Sequence, residues 1–164
     1  MNSVEQFLQS KHIDFIHHDH PAVFTCEQAA IFHELVPGTP GKNLFLIDTK
    51  SGRLFLVILP VEKKADLKFL TLHFWATKLS FGSPDLLLQK MGLTPWSISP
   101  FGLIHNTERD IEVYIDQEIY DAELVNFHPN INTASLSLTR EMFHRYLETL
   151  HHEIHIIDLS IVQP

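Results

Sequence analysis

The chain has 164 residues, 45% hydrophobic and 20% charged, a composition that fits one globular domain over residues 1–164 and excludes a low-complexity or disordered chain. Its formal charge of −8, with 12 Lys and Arg spread along the chain, excludes a long phosphate-tracking footprint while allowing a grip on one end of an RNA. No apolar run nears the roughly 20 residues of a membrane span, the first residues lack a secretory pattern and the single cysteine, Cys26, forms no internal disulfide, so the expected setting is cytoplasmic with no membrane partner.

In chain order, Ser3 with Val4, Phe7 and Leu8 predicts a short capped amphipathic helix, and Ile13 to His17 alternates as a strand. Thr25-Cys26-Glu27-Gln28 has capping-box spacing and predicts a helix to about Leu35. Val36-Pro37-Gly38-Thr39-Pro40-Gly41 then predicts a tight loop before a strand at Asn43 to Ile47, which forms a hairpin with Leu54 to Leu59. Asp66 caps a helix through Phe74, Lys78 to Phe81 is a short strand, and Ser83-Pro84 opens a helix that ends near Gly92. Strands follow at Ile111 to Ile115, at Glu123 to Phe127 beyond an acidic turn, and near Ala134 to Leu138. Thr139 starts the last helix, and Ile154 to Ile157 closes the chain as a strand. The fold class expected is α+β: a mixed, mostly antiparallel, barrel-like sheet with flanking helices.

Lys42 follows the Pro-Gly-x-Pro-Gly loop and precedes an apolar strand, where a point cation can hold a phosphate or polarise a carbonyl. Asn126-Phe127-His128-Pro129-Asn130-Ile131-Asn132 sets one histidine and three amides in a proline-bent segment suited to orienting a small ligand. Pro95 to Leu103 is a proline-bracketed loop containing Ser97 and Ser99, whose N–H groups are candidate donors to a reacting oxygen; no G-x-S-x-G elbow surrounds either serine. The 12 histidines match no closed zinc spacing, so no metal or other cofactor is expected. Asp110, Glu112, Asp116, Glu118, Asp121 and Glu123 read as a solvated acidic face, and Cys26 as a packing residue.

Gly41-Lys42-Asn43-Leu44-Phe45-Leu46, Ser99-Pro100-Phe101-Gly102-Leu103 and Phe127-His128-Pro129-x-x-Asn132, in that order, resemble the landmarks of the YbaK/prolyl-tRNA-synthetase-associated editing domain, in its free-standing ProX/PrdX (ProXp-ala-like) branch. The resemblance runs from about His20-Pro21 to Thr139. It implies a trans-acting deacylase that hydrolyses the ester of mischarged tRNA, with alanyl-tRNA for proline as the expected substrate and the tRNA acceptor end as partner. Docking to a synthetase is a further candidate, and oligomeric state is left open. Residue by residue, it implies Lys42 and His128 as the catalytic pair, with Asn43, Trp96, Ser97, Ser99, Pro100, Phe101, Gly102 and Asn132 around the substrate. The family has glycine where this chain has Trp96, which is expected to reshape the pocket. The alternative reading is a non-catalytic aminoacyl-tRNA or small-ligand binding module of the same fold, inactivated or redirected by Trp96.

Overall fold

The structure is a computed structural model that describes residues 2–22, 28, 31 and 34–159. Helix α1 (Ser3–Ser10) is capped by Asn2, whose Oδ1 accepts from the Glu5 N–H at 3.0 Å, so the cap sits one residue before the expected Ser3. Val4 and Leu8 pack into the core with Ile13. Positive φ at His12 turns the chain, and strand β1 (Ile16–Asp19) starts three residues later than its alternation suggested. The helix expected from Thr25 to about Leu35 lies largely outside the described residues, as does Cys26.

Strand β2 (Thr39–Asp48) begins four residues before the expected Asn43, because the second half of the Pro-Gly segment is already paired. Thr39 and Pro40 run parallel to Val125 and Asn126 of β6 (Leu124–Phe127), while Gly41 opens the antiparallel pairing with β3 (Leu54–Pro60). The hairpin turns at Asp48, whose carboxylate accepts from the Lys50, Thr77 and Lys78 N–H groups and the Ser51 hydroxyl at 2.8–3.1 Å. Those donors hold the carboxyl well below the usual carboxylate range, with the Thr77 N–H as the largest cause. A depressed folded-state pKa contributes stability above the unfolded value of about 4 that is lost as pH falls. Asp48→Ala should therefore melt below the parent protein at neutral pH, with the gap starting to narrow only as pH falls below about 4. A gap that stays constant across melting curves from neutral to acid pH would contradict this.

Helix α2 (Leu67–His73) and strand β4 (Leu79–Phe81) follow, with β4 antiparallel to the far end of β2. Helix α3 (Pro84–Met91) is capped by Ser83 and ends at Gly92 in the left-handed region. Beyond it come β5 (Ile111–Asp116), the short helix α4 (Gln117–Asp121), β6, β7 (Ala134–Thr139), α5 (Arg140–Thr149) and β8 (Ile154–Ile157). The acidic turn expected before β6 thus contains a helical turn.

Among the described residues, eight strands form one mixed sheet in the order β1-β7-β6-β2-β3-β5-β8, with β4 on β2. Pairings are antiparallel except β2 with β6, β3 with β5 and β5 with β8. Strand β3 is buried along its whole length: Leu54, Leu56 and Ile58 enter the main core with Phe101, Phe127, Phe143 and Tyr146, while Phe55, Val57 and Leu59 face a second cluster with Leu70, Phe74 and Tyr114.

The expected solvated acidic face is overturned in part. Strand β5 has parallel neighbours on both sides, which buries Asp116 completely against Lys63 at 2.7 Å. Glu112 takes a two-pronged Arg53 at 2.8 and 2.9 Å, and Asp110 pairs with Lys90 at 2.7 Å. Among the described residues, no helix is long and apolar enough to cross a membrane.

Candidate functional site

The sheet half formed by β1, β7, β6 and the start of β2 is amphipathic. Val125, Phe127, Leu136 and Leu138 point into the core, so alternation sends Asn126, Ser135 and Ser137 to the opposite face. Register aligns Ile16, Ser137, Asn126 and Pro40 in one row across the four strands. In the next row His18 pairs with Ser135, and Lys42 and His128 each lie two residues beyond the last β2–β6 pair, Pro40 with Asn126, on the side that alternation assigns to those two. Lys42 and His128 therefore share a face of the sheet, although 86 positions separate them in the chain.

His128 is partly buried. Its Nδ1–H donates to the Ala134 carbonyl at 3.0 Å, which fixes the tautomer and leaves the lone pair on Nε2. Burial, against the opposing effect of the Ala134 bond, and the neighbouring His20 hold its pKa below the ordinary histidine value, so the ring is neutral at pH 7. The His20 ring lies 5.9 Å away, with Nε2 3.1 Å from Ser135 Oγ. Lys42 is half-buried on β2 opposite Leu59.

Gly41, beside Lys42, packs directly against Phe127: a Cβ there would fall 2.2 Å from the ring. Gly38 has φ +112° and lies against the Asn126 amide. The two glycines of the Pro-Gly segment thus let β2 close onto β6 immediately before His128.

Asn43 alternates to the other side of β2 from Lys42. Its Nδ2–H donates to the Ile98 carbonyl at 3.5 Å, tying β2 to the 95–102 loop, and its buried Oδ1 has no hydrogen-bond partner. Ser99 donates to Asn130 Oδ1 at 2.8 Å, linking that loop to the turn after His128; Asn132 is half-buried in the same turn. The segments around residues 38–43, 97–102 and 126–132 therefore converge.

Within the 95–102 loop, backbone N–H groups turn inward. Its prolines enforce two 3-10 turns, which direct the Ser97 N–H to Thr94, the Phe101 N–H to Ser99 Oγ and the Gly102 N–H to the Ser99 carbonyl. These donors are consumed locally. Ser97, Ser99, Pro100, Phe101 and Gly102 are all buried, and Phe101 packs edge-on against Tyr146 and Phe127. Tyr146 OH donates to the Pro100 carbonyl at 2.7 Å, and a Cβ on Gly102 would meet Leu93 at 2.6 Å. The loop packs beneath the site, tied to it through the Ser99–Asn130 and Asn43–Ile98 hydrogen bonds. Trp96 is 55% exposed, and its backbone lies outside the positive-φ region, so this position imposes no need for glycine.

The sequence reading missed His18, His20, Ser135 and Ser137 as members of this face, while Asn126 stands among the three amides already singled out in the proline-bent segment. A signal was present: in Ala134-Ser135-Leu136-Ser137-Leu138 the serines alternate with core residues, marking a buried strand with one polar side. Among the described residues, no three His, Cys, Asp or Glu side chains are grouped to hold a metal ion.

Residues 20–146 match the family model of the aminoacyl-tRNA editing domain, and the chain belongs to that family. It is similar to the Prolyl-tRNA editing protein ProX of Acetoanaerobium sticklandii, 39% identical over 100 residues, a match that spans 61% of this chain and 61% of that protein's length. It is also similar to the Prolyl-tRNA synthetase associated domain-containing protein 1 of Danio rerio, 30% identical over 151 residues, covering 91% of this chain and 82% of that one. A solved structure described as a putative trans-editing enzyme for prolyl tRNA synthetase superposes with a TM-score of 0.71 at 18% identity, over 96% of this chain and 97% of that chain, and establishes likeness of fold.

Proposed function

We propose that this chain, acting as a single editing domain, is a trans-acting aminoacyl-tRNA deacylase that hydrolyses the ester of mischarged tRNA, with alanyl-tRNA for proline as its substrate. The observation that carries this reading is that Lys42 and neutral His128, each two residues past the Pro40–Asn126 pair, fall on one face of the sheet. Membership of the editing family and the name of its ProX relative support this substrate class.

An aminoacyl ester is already activated, so hydrolysis needs a placed water and stabilisation of the developing oxyanion. In this reading the Lys42 ammonium faces the ester carbonyl and draws charge onto its oxygen. His128 Nε2 takes a proton from the attacking water, whose oxygen bonds to the carbonyl carbon. Collapse breaks the ester C–O bond, and the proton passes to the departing ribose oxygen, giving free amino acid and uncharged tRNA. Selection rests on size, with alanine admitted and proline excluded by clash. The negative chain charge suits a grip limited to the acceptor end. Docking to a synthetase is compatible with this role.

Release of labelled amino acid from alanyl-, seryl-, cysteinyl- and prolyl-charged tRNA for proline tests the substrate assignment. Alanyl-tRNA should turn over fastest and prolyl-tRNA should survive; the reverse order would defeat it. Because His128 must be neutral to accept a proton, kcat/KM should be flat from about pH 7 to 8 and fall only below the ordinary histidine pKa of about 6.5. An acid limb centred above that value would remove His128 from the role.

A further inference from the structure

Asn126 lies two residues before His128 on the same face of the sheet and is 6% exposed. Its amide is held by a two-step latch. Ser137 donates its hydroxyl proton to Asn126 Oδ1 at 2.6 Å. With that proton committed, His18 Nε2 donates to Ser137 Oγ at 3.1 Å. The latch fixes the carbonyl end of the amide and leaves Nδ2 as a buried donor with no hydrogen-bond partner. A buried N–H in that condition is disfavoured unless something meets it. Gly38 packs closely over this amide, where a Cβ would lie 3.0 Å from Asn126 Oδ1 and 3.1 Å from Nδ2, so only a glycine leaves room beside it. Pro40, the register partner of Asn126, brings no backbone N–H of its own to the spot.

We propose that Asn126 is a substrate-binding residue of the deacylase site, its latched amide N–H donating to an acceptor oxygen of the aminoacylated terminal ribose, and that Ser137 and His18 are positioning residues for it. This rests on the deacylase reading. A neutral amide suits that position, because it orients an uncharged ester or hydroxyl oxygen without competing with Lys42 for developing negative charge. The same donor serves an ester carbonyl or a ribose hydroxyl, and kinetics separate them. A contact to the carbonyl that strengthens as charge develops appears in kcat, whereas a contact to a ribose hydroxyl formed equally in the ground state appears in KM.

The test uses the full chain, 15N-labelled, and a non-hydrolysable probe in which alanine is joined to 3′-amino-3′-deoxyadenosine through an amide. Titration should move the Asn126 side-chain NH2 signals of the parent protein. Asn126→Ala should bind the probe about tenfold or more weakly and lose a similar factor in kcat/KM on alanyl-tRNA. Ser137→Ala, which leaves the amide present but unlatched, should lose less. The NMR titration needs no variant, so it decides the point even if Asn126→Ala does not fold. A probe that binds while the Asn126 signals stay fixed, or a folded Asn126→Ala with the parent's affinity and rate, overturns the assignment and leaves the deacylase reading standing. A parent protein that neither binds the probe nor releases alanine overturns both.

Discussion

Replacing Lys42 with alanine should lower kcat/KM for alanyl-tRNA about 100- to 1,000-fold, the loss expected when one preorganised donor to an oxyanion is removed. Stability should change little, within about 1 kcal/mol, because Lys42 is only half-buried on β2 and the strand's pairing is made by backbone. The loss should fall mainly on kcat, since the carbonyl oxygen gains its charge in the transition state. Lys42→Arg should recover only part of the rate: a planar guanidinium keeps the charge but not the compact point geometry beside Gly41. Single-turnover deacylation with all three proteins, alongside their melting curves, checks this. An alanine variant within threefold of the parent would remove Lys42 from the chemistry.

The second large effect is structural. Gly41→Val should destabilise the fold by about 1–3 kcal/mol, and more if the strand cannot shift. The Cβ alone would fall 2.2 Å from the Phe127 ring. Phe127 cannot swing away, being 2% exposed and boxed in by Phe143 at 5.4 Å and Phe101 at 6.4 Å between ring centres. Relief must come from β2 parting from β6, which carries Lys42 away from His128. Urea unfolding should show a lower midpoint at unchanged slope, and kcat/KM should fall by more than the unfolded fraction explains. A variant with the parent's midpoint and rate would show that the close contact of Gly41 with Phe127 does not set the site.

Most elements were legible in the sequence because their signals are local. Ser83-Pro84 and Gly92 bracket α3, the Asp48 to Arg53 turn announces the β2–β3 hairpin, and Thr139 caps α5 through the Met142 N–H. The landmarks around Lys42 and His128 carried the family. What was not legible depends on pairing at a distance. The start of β2 is set by Val125 and Asn126, some 86 residues away, and nothing in Thr39-Pro40 announces it. Asp116 looked solvated because two flanking parallel strands cannot be read from its neighbours. Phe101 and Gly102 stand in a diagnostic motif, and their packing against Tyr146, Leu93 and Met91 depends on partners that the motif alone does not name. Conversely, Ser135 and Ser137 gained meaning only when the register placed them on the face that carries His128.

Every role proposed for these residues depends on the face bearing Lys42 and His128 turning over an aminoacyl ester. The most direct measurement is multiple-turnover deacylation, with the protein at about one part in a hundred of alanyl-tRNA for proline at neutral pH, following free alanine over the spontaneous rate. Release of many equivalents of alanine per protein molecule is the expected result. Release no faster than the spontaneous rate, or protection of the ester at stoichiometric protein, would contradict it and leave a binding module in its place.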